Sequence, residues 1–310
     1  MTMRRLVFIT LGLSLAWSAP QAGAARSHIV VDAETGHILT SGNPNQKVQI
    51  ASLTKIATAM VVMDWADATR SSLATTVTVP AGISGVSGVN PCGLQPGDKV
   101  SLRDLLYAAM MQSDNHAAYT LAHSVGSRLP NRQQLPPVEN FTAHMNALAR
   151  KLEMKRTLFL NPHGLDNMET PPHSTAADLA RLTRYAYTHA GFNFYVSQPA
   201  REISITGADG SPRGFVLRNT NELLGQEDID GVKTGRTSRA GDCIVLSADR
   251  DPLVVEAAGG GKVAVPRRVI LVLLGSNDRF SEGLSMMRHA WDLYGRWVAQ
   301  GRPVSKRTSI

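Results

Sequence analysis

The chain has 310 residues, 43% of them hydrophobic and 18% charged, without repeats or low-complexity tracts. That composition excludes a disordered or fibrous protein and suits one sizeable domain, or a domain with an inserted lobe. Its net charge of +7 is modest and spread along the chain, and no basic run interleaved with aromatics or zinc-finger spacing points to nucleic acid.

The first 24 residues read as a signal peptide. Arg4 and Arg5 form a positive start, Leu6 to Trp17 an apolar stretch, and Ala22-Gly23-Ala24 a cleavage site. The apolar stretch is shorter than the roughly 20 residues that span a bilayer. An exported protein beginning near Ala25 is expected, with no stable membrane anchor after cleavage.

His28 to Val31 and His37 to Thr40 flank a Gly-containing turn and predict a β-hairpin. From about Ser52 to Trp65 the apolar residues fall on nearly every face, which predicts a buried helix. A Gly/Pro-rich loop is expected between Val79 and Asp98. Further helices are predicted over Leu102 to Met111, Asn115 to Val125, about Val138 to Leu152, and from the Ser174-Thr175 cap to Ala190. After Arg201 come strand-like runs: Glu202–Thr206, Phe215–Leu217, Ile229–Thr234, Asp242–Ser247, Leu253–Glu256 and Val269–Leu274. An amphipathic helix from about Asp278 to Val298 follows. Strands at both ends with helices between predict a mixed α/β (α+β) fold. A sheet subdomain of about 25–65 and 201–300 would be split by an all-helical lobe of about 66–200, with the active site in the cleft.

Three polar motifs occur in order: Ser52-Leu53-Thr54-Lys55, Ser113-Asp114-Asn115 and Lys233-Thr234-Gly235. Each is weak alone; the ordered set is a signature of active-site serine chemistry. At the start of a buried helix, free N–H groups favour developing negative charge near Ser52. Lys55, three residues on, shares its face. A serine hydroxyl needs a base, and a lysine serves only if its pKa is lowered, here by burial and by Lys233 as a second cation. Ser113 and Asn115 fall at a turn between predicted helices, Ser113 as proton relay and Asn115 as a group orienting Lys55 and substrate. Lys233, Thr234 and Gly235 end a strand whose edge can accept an extended peptide, with Lys233 and Thr234 available for a carboxylate.

These residues resemble the D-Ala-D-Ala carboxypeptidase family of low-molecular-mass penicillin-binding proteins. The likeness covers roughly Ser27 to Leu274. It includes residues 51–56 around Ser52, Leu105-Leu106, Asn161-Pro162-His163-Gly164-Leu165-Asp166, residues 175–179, Asn219-Thr220-Asn221, residues 230–235 and Ala240-Gly241. The resemblance implies that residues 25–310 form a serine DD-peptidase domain, an antiparallel sheet flanked by helices with a helical lobe, as β-lactamases also have. It further implies peptidoglycan stem peptides as substrate, β-lactams as covalent inhibitors, and a periplasmic or cell-wall location. In its mechanism Ser52 attacks the penultimate D-alanine carbonyl, Lys55 takes the proton, the backbone N–H groups of Ser52 and Arg236 hold the oxyanion, and Ser113 protonates the leaving alanine. No metal or organic cofactor is required.

Departures from the family pattern are His116 where an acidic residue is frequent, Arg236 where a histidine or aromatic is common, and an ending at Ile310 without the extra β-domain of many carboxypeptidases. The short form resembles DD-endopeptidases, which cut cross-links, and endopeptidase is the alternative activity. A class A-like β-lactamase would need a Glu-x-x-Leu-Asn loop, whereas Glu153 is followed by Met154-Lys155-Arg156. A non-catalytic wall-binding relative would be expected to lose one of the motif residues. The cysteines, Cys92 and Cys243, leave open a disulfide or two buried thiols.

Overall fold

The computed structural model describes residues 25–166, 168–256, 260–306 and 308–310. The expected signal peptide lies outside the described residues. Among the described residues, no helix is long and apolar enough to cross a membrane.

One five-stranded antiparallel sheet organises the molecule, in the order β2-β1-β9-β8-β7. Its strands are β1 (Ser27–Asp32), β2 (Ile38–Gly42), β7 (Ile229–Thr237), β8 (Gly241–Glu256) and β9 (Lys262–Ser276). Side chains alternate across a strand, so a sheet covered on both faces needs apolar residues at every position. Residues 269–274, Val-Ile-Leu-Val-Leu-Leu, do this. Val269, Leu271 and Leu273 face α7 (Arg279–Ala299) with Ile244, Leu246, Met287 and Trp291, while Ile270, Val272 and Leu274 join the larger core on the other side.

That larger core is built around α1 (Lys55–Thr69), whose residues 55–63 are all buried. Around it pack α2 (Leu102–Met111), α3 (Asn115–Gly126), α4 (Pro137–Lys151) and α5 (Ala176–Ala186), with a short α6 (Phe192–Val196). Ser101, Asp114 and Thr175 cap α2, α3 and α5 through side-chain oxygens.

The structure differs from expectation in three places. The middle of the chain is not all helical: β3 (Thr76–Thr78) and β4 (Lys99–Ser101) pair with β5 (Ala200–Thr206) and β6 (Pro212–Arg218) in a second sheet, β3-β4-β5-β6. Three-residue strands are too short to show a period of two, and β5 and β6, expected in the main sheet, belong to this one. Ser52 lies not in an α-helix but in a 3-10 turn, Ala51–Thr54, which precedes α1. The runs at Asp242–Ser247 and Leu253–Glu256 form one long strand.

Leu271 is fully buried in the third strand of the main sheet. Leu271→Ala is expected to cost about 2–5 kcal/mol in urea unfolding.

Candidate active site

Lys55 opens α1 as a fully buried lysine with three acceptors around its amine. Nζ lies 2.9 Å from Ser52 Oγ, 2.7 Å from Asn115 Oδ1 and 2.9 Å from the His163 carbonyl oxygen. The 3-10 turn followed by the first residue of α1 brings Ser52 and Lys55 together. Asn115 opens α3 behind its Asp114 cap, and its amide is oriented by Nδ2 donating to the Ser87 carbonyl at 3.0 Å. Oδ1 is thereby left to face Lys55.

Burial lowers the Lys55 amine to about 7, opposed in part by the charge of Asp114. The charge of Lys233, expected to share in this, acts differently. Lys233 is also buried and is held well below the ordinary lysine value by burial first, then by Lys55 and Arg279.

The third motif reaches the site through β7. An added Cβ on Gly235 would stand 3.0 Å from the Ser52 nitrogen and 3.2 Å from the Ile50 carbonyl oxygen, so glycine lets the strand lie against the Ser52 turn. Lys233 Nζ donates to the Thr234 carbonyl at 3.0 Å, and Thr234 Oγ1 shares a 2.6 Å hydrogen bond with Thr220. The Arg236 side chain is 76% exposed and pairs loosely with Asp242 at 3.4 Å. Ser113 occupies the turn between α2 and α3 at φ 63°, outside the hydrogen-bonded set formed by Ser52, Lys55 and Asn115.

Several contributors lie outside the three polar motifs. The His163 carbonyl comes from the 161–166 turn, whose Asn161 Oδ1 accepts from the Gly164 N–H at 2.6 Å. Burial, with Lys55 and His116 nearby, holds the His163 ring down at about 3, so it is neutral at physiological pH. Segment 86–89 lies over the second motif: His116 Nε2 is 3.1 Å from the Val86 carbonyl, and Asn115 N donates to Val89 at 2.9 Å. Arg279 donates to the Gly235 carbonyl at 3.2 Å. Cys92 and Cys243 are free, buried thiols, and Cys243 faces Gly235 across β7 and β8. Among the described residues no cluster of three or more His, Cys, Asp or Glu could hold a metal ion.

The profile of the D-alanyl-D-alanine carboxypeptidase family matches residues 15–258. This chain belongs to that family. Among its family relatives, the D-alanyl-D-alanine endopeptidase of Pseudomonas aeruginosa is 34% identical, covering 82% of this chain and 81% of that protein. The carboxypeptidase DacD of Salmonella typhimurium is also 34% identical, covering 84% of this chain. The chain spans 60% of the length of that carboxypeptidase. The structure of the Streptomyces K15 DD-transpeptidase superposes with a TM-score of 0.74 at 29% identity, covering 87% of this chain and 97% of that one. Penicillin-binding protein D2 of Listeria monocytogenes, solved in its ampicillin-bound form, gives a TM-score of 0.64 at 29% identity, covering 85% and 96%. A serine peptidase of the D-alanyl-D-alanine carboxypeptidase family is thus the frame in which the geometry acts.

Gly164 tests that geometry. At φ +89°, its added Cβ would lie 1.9 Å from the Ala51 carbonyl oxygen. Gly164→Ala is therefore expected to displace the Ser52 turn and slow labelling by a fluorescent penicillin by about tenfold or more. Retained far-ultraviolet circular dichroism would show that the fold survives.

Proposed function

We propose that the protein is a serine-type D-Ala-D-Ala carboxypeptidase that removes the terminal D-alanine from peptidoglycan stem pentapeptides. The observation that carries this reading is the buried Lys55 amine, lowered to about 7 and 2.9 Å from Ser52 Oγ. Protonated, the amine spends its three hydrogens on Ser52, Asn115 and His163. Neutral, it keeps two hydrogens for the carbonyl oxygens of Asn115 and His163, which cannot donate, and its lone pair is left for the Ser52 hydroxyl.

In this mechanism Lys55 takes the Ser52 proton as Oγ attacks the carbonyl of the penultimate D-alanine. The N–H groups of Ser52 and Arg236 receive the oxyanion. Collapse breaks the peptide bond, and the D-alanine amine leaves with a proton relayed by Ser113. Water then hydrolyses the ester. Asn115 orients Lys55 and the substrate amide, Gly235 opens the edge of β7 to the peptide, and Lys233 with Thr234 supports its terminal carboxylate. β-Lactams would be caught at Ser52 as the corresponding acyl-enzyme. The protein acts after export, in the periplasm or cell wall, with the cleft lying between the five-stranded sheet and the lobe that carries α2 and α3.

Endopeptidase cleavage of cross-links is the second reading, supported by the 34% identity to the Pseudomonas endopeptidase. Mass spectrometry of products from pentapeptide muropeptides and cross-linked dimers separates them. Loss of one alanine from the pentapeptide, with a penicilloyl adduct on Ser52, is expected. Dimer cleavage without alanine release would move the assignment to endopeptidase, and absence of any adduct would sink serine acylation.

The pH profile follows from Lys55. The protonated amine has no lone pair, so kcat/KM is expected to be low in acid and to rise with pH through about 7. Lys55→Met should remove that limb and lower acylation by about a thousandfold or more, as measured by stopped-flow reaction with a penicillin.

A further inference from the structure

The base and the Arg236 oxyanion donor of this site come from segments far apart in the chain, and one set of side-chain contacts ties them together. The 161–166 turn touches the base at one end: His163 supplies the carbonyl to Lys55, and Gly164 is seated on the Ala51 carbonyl without room for a Cβ. At its other end stands Asp166, only 6% exposed. Its Oδ2 accepts from Thr237 Oγ1 at 2.6 Å. Thr237 is the last residue of β7 and directly follows Arg236.

The Thr237 hydroxyl is fully engaged. It accepts from the Ala240 N–H at 3.0 Å, closing the turn from β7 to β8, so its single hydrogen is free for the Asp166 carboxylate. Arg239, in the same turn, donates from Nη1 to the carbonyls of Asp166 and Met168, each at 3.0 Å. Two side chains from the end of the sheet strand therefore grip the far end of the turn that holds the base.

We propose that Asp166 is a positioning residue for acylation: through Thr237, it fixes the His163 turn against the end of β7, so that Lys55 and the Arg236 N–H address one carbonyl group. This rests on the acyl-enzyme reading above. The physical reason is register. A base and an oxyanion donor on separately folded segments must be held to a fraction of an ångström, and a misplacement of about 1 Å can cost about a hundredfold in rate. Ser52, Lys55 and Asn115 fix the base among themselves, but none of their hydrogen bonds reaches Arg236; the Asp166–Thr237 contact does so within one residue.

The test is stopped-flow acylation of the full chain by a chromogenic penicillin, with saturating rate and apparent Kd resolved, and melting temperature measured alongside. Asp166→Ala and Thr237→Val are each expected to lower the saturating rate about tenfold, with apparent Kd within about twofold of the parent. The double variant should be no slower than the slower single one, because both remove the same contact. Asp166→Asn, whose Oδ1 can still accept from Thr237, should restore most of the rate, and Arg239→Ala should slow acylation severalfold. A purely structural role predicts lower melting temperatures with unchanged acylation per folded molecule. That result, or rate losses that multiply in the double variant, would overturn the proposal. Should Asp166→Ala fail to fold, Asp166→Asn and Arg239→Ala still decide it: equal rates for both and the parent would overturn it. Unreactive parent protein would overturn the acyl-enzyme reading together with this one, whereas a reactive parent with unaffected variants removes the positioning role alone.

Discussion

Everything at this site depends on a lysine amine kept out of water and given only acceptors. Lysine has three donors and no acceptor when charged, and Lys55 meets three oxygen atoms. Two belong to carbonyl groups that stay acceptors at any pH. The third is a hydroxyl that can either accept or donate. Deprotonation of the amine therefore has one consistent outcome: the hydrogen bond to Ser52 reverses while the other two persist. Burial lowers the pKa enough for that reversal to occur near neutrality. Asp114 works against it, and its place explains why its influence stays limited. Its carboxylate caps α3 through the Ala117 N–H at 2.9 Å and also accepts from the Cys92 N–H at 3.2 Å, so it does not bind the amine.

Each of the three oxygens is in turn fixed by something else. Asn115 cannot flip its amide without losing the Ser87 carbonyl, and Gly88 sits over it so closely that a Cβ there would stand 2.4 Å from Nδ2. His163 is held by the Asn161 side chain and by the packing of Gly164 on Ala51. Ser52 belongs to a short turn against which Gly235 brings β7. Glycines recur here because backbone must approach backbone, and at positions 88 and 164 the positive φ adds a second reason.

The motifs were legible in the sequence because their chemistry is local. Ser52 and Lys55 are three residues apart, and Lys233 to Gly235 lie on one strand, so a pattern of side-chain types carries the information. Most helices were legible for a similar reason, since caps at Ser101 and Thr175 and apolar periodicity act within a few residues. What stayed hidden acts through the backbone or across long separations. A main-chain carbonyl such as that of His163 has no residue-type signature, and its partner is 108 positions away. The strands at Thr76–Thr78 and Lys99–Ser101 exist because β5 offers β4 an edge and β4 offers one to β3, which no three-residue window announces. The Ser52 turn read as helix because apolar content fixes burial, not hydrogen-bond spacing. Thr54, at the junction, offers α1 no side-chain cap.

The separations also say what the base costs. Lys55 is bonded to partners 60 and 108 positions away, so its environment exists only in the folded chain. In the unfolded chain it titrates as an ordinary lysine near 10.5, while in the folded protein it does so near 7. Between these values the unfolded chain binds the extra proton, so the contribution of Lys55 to stability rises with pH across that window. Below about 7 the folded protein carries the full penalty of a buried charge. Lys233 adds a penalty of the same sign. Two buried amines in one cleft thus oppose folding under the conditions in which the protein must fold. The doubly covered sheet and the fully apolar face of α1 supply the burial that offsets them, and the dryness that destabilises Lys55 is the same dryness that makes it a base.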